Sequence, residues 1–217
     1  MNPVIWIEGI ISSGKSTLAD TLGEKLDMRV IKEPVESNPY LELFYEDMAR
    51  WAWPMQVHLM AERYALQKLA VSEAMNVNGP YQGAILDRGL PGDRVFAQML
   101  TNAGLIHPLE WMTYTRHFDI MASDLRPPSL IVFLDVDPRA AFERCQGRAR
   151  AAEKVHEAGT GVTLEYLQSL ARGYYDLLAE IESGRHPWSR GMSVLKWPWN
   201  VDHQPVEPLL EEIIRRV

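Results

Sequence analysis

A glycine-rich motif near the N-terminus of this 217-residue chain could bind phosphate groups. The stretch from Gly9 to Thr17 matches the pattern G-x-x-x-x-G-K-S completely. Its glycines let successive backbone N–H groups point at phosphate oxygens, and a helix that begins near Lys15 adds the positive end of its dipole. The Lys15 ammonium would reach the β- and γ-phosphates, and the Ser16 hydroxyl would bind Mg²⁺. The motif therefore predicts a nucleoside triphosphate site, with Gly9, Ser12, Ser13, Gly14, Lys15, Ser16 and Thr17 as candidate contacts.

Charged side chains follow three further apolar runs. Glu33 comes soon after the run from Met28 to Ile31, and Asp87-Arg88 comes directly after Ala84 to Leu86. A carboxylate such as Glu33 can accept a proton from a nearby hydroxyl, and arginines suit the spread negative charge of a transferring phosphoryl group. Beyond the fourth run lie three more arginines: Arg144, Arg148 and Arg150. The first two would share one face of a helix, which the third would not.

Five short apolar runs alternate along the chain with longer helical patterns. The runs cover residues 4–7, 28–31, 84–86, 130–134 and 193–195. This alternation predicts an α/β fold, in which helices cover both faces of a parallel sheet. Ligands bind such sheets beyond the carboxyl ends of the strands, where the charged residues are found. The length favours a single domain over residues 1–217.

The composition limits the classes of partner and compartment. The chain has 22 Lys and Arg against 29 Asp and Glu, a net charge of −7, which argues against binding to duplex nucleic acid. The lone cysteine, Cys145, excludes an internal disulfide and suits a reducing compartment. The longest clean apolar run, Leu130 to Leu134, is too short to cross a bilayer. We therefore expect a cytoplasmic protein with no nucleic-acid or membrane partner.

Several motifs taken together resemble the deoxyribonucleoside kinases, and most closely the bacterial-type branch that phosphorylates deoxyadenosine and deoxyguanosine. The resemblance spans residues 5 to about 170, in the family's order. It rests on the Gly9–Thr17 motif, Glu33-Pro34-Val35, residues 38–45 and 50–52, Gln56 with Arg63, Asp87-Arg88, residues 144–153 and residues 164–167. It implies a three-layer P-loop kinase fold with a five-stranded parallel sheet and a short arginine-rich lid at about residues 144–163. It also implies ATP as phosphoryl donor, Mg²⁺, a deoxynucleoside substrate and a homodimer.

The resemblance also implies a role for each matching position. Glu33 would be the general base on the sugar 5′-hydroxyl, beside Lys15 and an Arg88 that steadies both Glu33 and the phosphoryl group. Asp87 would help Ser16 to hold Mg²⁺. The other implied contacts are those of Tyr45 and Glu153 with the 3′-hydroxyl, of Gln56, Arg63 and Asp93 with the base, and of Arg144, Arg148 and Arg150 with the triphosphate.

Two departures from the family bear on these roles. Gly89 stands where relatives usually carry Ser, directly after Arg88. The following loop, Leu90-Pro91-Gly92, is one residue shorter than in relatives, which leaves open whether Asp93 faces the base.

The sequence favours ATP-dependent phosphorylation of a deoxyribonucleoside. Gln56 offers a donor and an acceptor that match adenine or cytosine, and Arg63 with Asp93 would disfavour thymine. The stretch Asn38-Pro39-Tyr40 resembles the purine branch of the family, so we expect purine deoxynucleosides first and deoxycytidine next. One alternative is a nucleoside monophosphate kinase similar to thymidylate kinase. Its typical Arg-Glu-Pro-Gly-Gly is replaced here by Lys32-Glu33-Pro34-Val35, although Lys32 keeps that option open. The other alternative is a non-catalytic ATP-binding module.

Overall fold

Five parallel strands form the centre of the molecule. The computed structural model describes residues 1–33, 35, 38–147, 161–186, 192–199 and 204–217. Branched and aromatic side chains dominate the strands, as expected for a sheet buried on both faces. The strands are β1 (Val4–Glu8), β2 (Arg29–Ile31), β3 (Ala84–Asp87), β4 (Leu130–Asp135) and β5 (Ser193–Pro198), and they pair in the order β2-β3-β1-β4-β5. The predicted α/β fold with a five-stranded parallel sheet is confirmed.

Helices connect the strands and flank the sheet. The longest, α3, has the side chain of Asp47 as its N-cap, which accepts a hydrogen bond from the backbone N–H of Arg50 at 3.0 Å. None of the helices in the described part of the chain combines the length and apolar composition that a membrane span needs. The helices are α1 (Lys15–Leu26), α2 (Leu41–Glu46), α3 (Met48–Met75), α4 (Leu90–Asn102), α5 (Pro108–Ser123), α6 (Pro138–Gly147), α7 (Leu164–Glu182) and α8 (Glu207–Arg216).

The strand register brings the charged residues of three strands to one edge of the sheet. Ile7 of β1 lies opposite Asp87 of β3, and Leu86 of β3 lies opposite Ile31 of β2. The three strands β1, β2 and β3 therefore end side by side at the same edge of the sheet. Their next residues begin the phosphate loop, the segment that carries Glu33, and the turn that carries Arg88.

Gly89, where the family resemblance would predict serine, lies too close to β1 for a side chain. A Cβ atom built on Gly89 would lie 2.6 Å from the indole ring of Trp6, which is fully buried on β1. Such a contact is far inside van der Waals distance, so a serine at this position requires a smaller residue on the strand. The large side chain of Trp6 is therefore compatible with glycine at position 89 and not with serine.

Candidate active site

The phosphate loop has the curled backbone that the motif predicts. Gly9 and Gly14 have positive φ angles of 151° and 90°, and a Cβ atom on Gly9 would lie 2.8 Å from the hydroxyl of Ser13. Lys15 is the first residue of α1, and its ammonium donates hydrogen bonds to the carbonyl oxygen of Ile10 at 2.8 Å and to Ser13 Oγ at 3.3 Å. The cation therefore lies over the loop, where a phosphate would bind.

The structure brings together the two residues predicted to hold a metal ion. Ser16 Oγ donates a hydrogen bond to Asp87 Oδ2 at 2.5 Å. The other carboxylate oxygen, Oδ1, is buried and has no hydrogen-bond partner among the described residues. In the same part of the chain no group of three or more acidic, histidine or cysteine side chains could hold a metal. A hydroxyl and one carboxylate suit Mg²⁺, which takes its remaining ligands from water and substrate phosphates.

Glu33 lies between two buried arginines. Arg63 of α3 forms an ion pair with Glu33 Oε1, and Arg88 Nε lies 3.3 Å from Glu33 Oε2. Burial alone would raise the pKa of Glu33, but Arg63, Arg88 and Lys15 together hold that pKa below its ordinary value. The Glu33 carboxyl is therefore ionised at neutral pH and can accept a proton.

The pKa of Lys15, which also lies near Glu33, is lower than that of an ordinary surface lysine. Burial, with a smaller repulsion from Arg88, lowers the pKa of Lys15 to about 7, although Asp87, Glu33 and Glu8 act against the shift. The ammonium is thus poised to change charge near neutral pH in the absence of a phosphate ligand.

Arg88 is held in place from behind. Its Nη1 atom donates hydrogen bonds to the carbonyl oxygen of Gly9 at 3.0 Å and to the hydroxyl of Tyr174 at 2.7 Å. The guanidinium carbon also lies 4.9 Å from the centre of the Phe96 ring. The side chain is buried, and its attraction to nearby acids raises its pKa against the effect of burial. Arg88 is therefore a permanently charged and closely fixed group.

A single cavity of about 550 Å³ joins the phosphate loop to the candidate nucleoside residues. Ser12, Lys15 and Ser16 line it from the loop, whereas Gln56 and Tyr45 line it from α3 and α2. Gln56 is 1% exposed, and its side-chain oxygen has no hydrogen-bond partner among the described residues. A buried and unsatisfied amide oxygen in a cavity is a binding group for a polar ligand.

Asp93 lies behind the cavity rather than in its wall. It is fully buried in the first turn of α4, which begins at Leu90 without an intervening loop. One carboxylate oxygen forms an ion pair with Arg63, and the other accepts a hydrogen bond from the hydroxyl of Tyr114 at 2.6 Å. Asp93 is not among the residues that line the cavity, so its influence on a ligand there acts through Arg63. The part in base recognition that the resemblance implies for Asp93 stays a prediction.

Comparisons with known proteins show the family of the chain. The family model for deoxynucleoside kinases matches residues 5–208. The chain belongs to the deoxynucleoside kinase family. Similar proteins include the deoxyadenosine kinase of Dictyostelium discoideum, 34% identical over 90% of this chain and 72% of the relative. The deoxyadenosine/deoxycytidine kinase of Bacillus subtilis is 33% identical over 70% of this chain and 68% of the relative.

A solved structure with a similar fold supports the architecture of this deoxynucleoside kinase. The structure of a deoxyadenosine kinase from M. mycoides with bound dCTP superposes with a TM-score of 0.77, at 22% identity, over 98% of this chain and 97% of that one. The superposition covers nearly the whole of both chains, so the likeness in fold extends from the phosphate-loop motif to nearly all of this chain.

Some predicted site residues of this kinase fall away from the cavity or outside the described residues. Thr17 is exposed on α1, and Arg144 near the end of α6 is half-buried; neither is among the residues lining the cavity. Trp199, directly after β5, lies against the phosphate loop. A Cβ atom built on Gly14 would be 3.2 Å from the indole nitrogen of Trp199. Most of the predicted lid, with Arg148, Arg150 and Glu153, lies outside the described residues.

Sequence reasoning missed the groups that hold the two arginines of the kinase. Glu8 and Tyr174 support Arg88, and Tyr114 supports Asp93. Glu8 carried a usable signal, because an acid that ends a buried strand needs a partner. Tyr174 and Tyr114 looked like members of apolar helix faces, and their hydroxyls gave no signal in the sequence.

Proposed function

We propose that this kinase transfers the γ-phosphoryl group of ATP to the 5′-hydroxyl of a deoxyribonucleoside. The observation that carries the proposal is the single cavity in which Glu33 lies together with the phosphate loop and with Gln56. A donor phosphate and an acceptor hydroxyl can meet in this cavity, with the Glu33 carboxylate beside the hydroxyl. Phosphoryl transfer depends mainly on such positioning and on neutralisation of charge.

Each charged residue then has a defined part in the transfer. Glu33 accepts the proton of the 5′-hydroxyl as the oxygen forms its bond to the γ-phosphorus and the bond to the leaving β-phosphate oxygen breaks. Lys15 and Arg88 stabilise the negative charge spread over the phosphoryl oxygens. Ser16 and Asp87 would hold Mg²⁺, which would supply positive charge to neutralise the triphosphate.

The cations around the acceptor favour a nucleoside over a nucleoside monophosphate. An acceptor phosphate needs cations of its own, and Lys32 and Arg63 are the lining cations on that side. Lys32 binds Asp20 at 2.7 Å, and Arg63 forms ion pairs with both Glu33 and Asp93. Their charge is already matched, so the proposed acceptor is an uncharged nucleoside.

The groups near the proposed base support a preference for purines. Gln56 presents an unsatisfied oxygen that can accept from an exocyclic amine, and Arg63 can donate to ring nitrogens or carbonyl oxygens. The two similar relatives are named for deoxyadenosine and deoxycytidine. We propose deoxyadenosine or deoxyguanosine as the best substrate, followed by deoxycytidine, with thymidine the poorest. Tyr45, in the cavity wall, would contact the deoxyribose 3′-hydroxyl, with Glu153.

Replacement of Glu33 tests the assignment of the base. Glu33→Gln keeps the shape of the side chain but removes the proton acceptor, so kcat should fall by about 1000-fold while ATP still binds. Glu24→Gln, on the exposed face of α1, is the control and should retain full turnover. The assay measures transfer from labelled ATP to the four deoxynucleosides and their monophosphates. Turnover of Glu33→Gln near that of the unchanged protein would contradict the role of Glu33, and a preference for monophosphates would contradict the acceptor.

Two further properties belong to the proposal. We infer a homodimer in the cytoplasm, as the family resemblance implies. Two apolar segments could form the interface, 65–71 and 111–121, and they expose Leu69, Met112 and Ile120. Light scattering should give twice the mass of the chain, and a monomer at micromolar concentration would contradict the homodimer.

A further inference from the structure

Glu8 is a buried acid that has no part in the proposed transfer. It is the last residue of β1, is 2% exposed, and is absent from the wall of the cavity. Burial raises its pKa, although Arg88, the N–H of Gly89 and the hydroxyl of Tyr174 act in the opposite sense. A buried carboxyl costs free energy unless its hydrogen bonds are made, so its partners indicate its purpose.

The partners of Glu8 attach it to Arg88 in two ways. Glu8 Oε1 accepts a hydrogen bond from the backbone N–H of Gly89, the residue after Arg88, at 2.7 Å. Glu8 Oε2 accepts from the hydroxyl of Tyr174 at 3.0 Å, and the same hydroxyl accepts from Arg88 Nη1 at 2.7 Å. One carboxyl thus fixes both the backbone beside Arg88 and the guanidinium itself.

Arg88 needs this support because its backbone conformation is energetically unfavourable. Its φ angle is +70°, in the left-handed region that arginine rarely adopts. Conformations of this kind persist only where the surrounding structure enforces them. Glu8 holds the N–H of Gly89, the next backbone group, directly and the Arg88 guanidinium through Tyr174.

The direction of the hydrogen bonds makes the network specific to an acid at position 8. A guanidinium can only donate, so the Tyr174 hydroxyl accepts from it and must direct its own proton elsewhere. Both Tyr174 and the N–H of Gly89 then require an acceptor, and a carboxylate supplies two. Space is reserved for this arrangement, since a Cβ on Gly92 would lie 2.6 Å from Glu8 Oε2 and 3.0 Å from the Tyr174 hydroxyl.

We propose that Glu8 and Tyr174 are positioning residues that act through Arg88 to orient it toward Glu33 and the transferring phosphoryl group. This inference rests on the proposed function of the site. Neither residue touches the substrate; they determine where Arg88 Nε and its charge are held. A displacement of about 1 Å at such a group can reduce turnover by about 100-fold.

Two conservative variants test the network. Tyr174→Phe keeps the ring between Phe96 and Phe133 but removes the hydroxyl, and Glu8→Gln keeps the volume but leaves Tyr174 or Gly89 facing an N–H donor. Each should lower kcat by about 10- to 100-fold, with the KM for ATP and deoxynucleoside within about twofold. Tyr175→Phe is the matched control, because this adjacent hydroxyl bonds Asp135 and should be dispensable for turnover.

A double-mutant cycle distinguishes positioning from a general structural role. If Tyr174 acts through Arg88, Tyr174→Phe should cost nothing further in an Arg88→Lys background, whereas a structural defect would reduce turnover by the same factor in both backgrounds. Folding of every variant is checked by its thermal midpoint. Multiplicative losses in the cycle, or unchanged kcat in both folded single variants, would overturn the inference. Failure of the proposed function itself would show in the unchanged protein, which would then phosphorylate no deoxynucleoside.

Discussion

The two arginines that meet Glu33 are anchored by different chemistry. Arg88, at the phosphate end, has uncharged groups as its direct partners from behind, the carbonyl oxygen of Gly9 and the hydroxyl of Tyr174, and the Glu8 carboxyl acts on it through Tyr174. Arg63, at the nucleoside end, is held from behind by the fully buried carboxylate of Asp93. A tyrosine stands behind each arginine, but Tyr174 binds Arg88 directly, whereas Tyr114 binds Asp93.

This difference matches the charge of what each end would bind. The uncharged anchors of Arg88 leave its positive charge available to Glu33 and to a phosphoryl group. The charge of Arg63 is matched by Glu33 and Asp93, so this arginine acts toward a ligand as an oriented set of N–H donors. A neutral base requires hydrogen bonds without a net charge, whereas a triphosphate requires positive charge in addition to hydrogen bonds.

The largest effect should come from removing each arginine in turn. Arg63→Met leaves Asp93 buried without its ion pair and should cost about 3–5 kcal/mol of unfolding free energy. Arg88→Met leaves Glu8 bonded to the N–H of Gly89 and to Tyr174, so it should cost clearly less stability but should lower kcat by about 1000-fold. Urea unfolding and steady-state kinetics measure the two quantities.

A double variant controls for general damage to the core. Arg63→Met with Asp93→Asn removes the stranded charge and keeps an acceptor for the Tyr114 hydroxyl, so most of the lost stability should return. Equal losses of stability in the two arginine variants, or no recovery in the double variant, would show that the two anchors do not differ as described.

The residues of the phosphate loop could be predicted from the sequence more readily than the hydrogen bonds that support Arg88. The Gly9–Thr17 loop is contiguous and follows an apolar run, so local pattern was sufficient to locate it. Gln56 and Arg63 could be paired because a helix places residues seven apart on one face. Glu33 and Arg88 could be placed at one sheet edge from the rule for parallel strands.

The supporting contacts could not be predicted from local pattern. Glu8 and Tyr174 are 166 residues apart in sequence, and their contact depends on how α7 packs against the sheet. The exclusion of serine at position 89 likewise depends on Trp6, a residue of another strand. The orientation of Asp93, which the sequence left open, depends on α4 beginning directly after Gly89, which places the carboxylate against Arg63. These outcomes are set by tertiary packing.

A second way to sharpen the comparison uses the charge of Lys15 at the phosphate end. The pKa of Lys15 is lowered to about 7 in the unliganded protein, so the side chain is charged below pH 7 and largely neutral at pH 8. Triphosphate binding needs the charged form, so affinity should be flat below pH 7 and fall about tenfold per unit above it. Binding at pH 8 should therefore take up close to one proton.

Calorimetry in buffers of different ionisation enthalpy measures this proton uptake. Lys15→Arg is the matched control, since an arginine stays charged and should take up no proton at this position. Deoxynucleoside binding should show no such linkage, because an uncharged nucleoside does not require the positive charge of Lys15. Triphosphate binding without proton uptake at pH 8 would contradict the lowered pKa of Lys15.

The smallest expected effect compares the two tyrosines. Tyr114→Phe removes the 2.6 Å hydrogen bond to Asp93 and keeps the ring stacked between Trp111 and Phe118. Arg63 then loses part of its support, so the KM for the deoxynucleoside should rise about fivefold, equivalent to about 1 kcal/mol, with kcat within about twofold. Tyr174→Phe should give the opposite pattern, a lower kcat with little change in KM. If both variants changed the same constant, the two ends of the cavity would not be separable, because each tyrosine would then act on Glu33 through the whole network rather than through its own arginine.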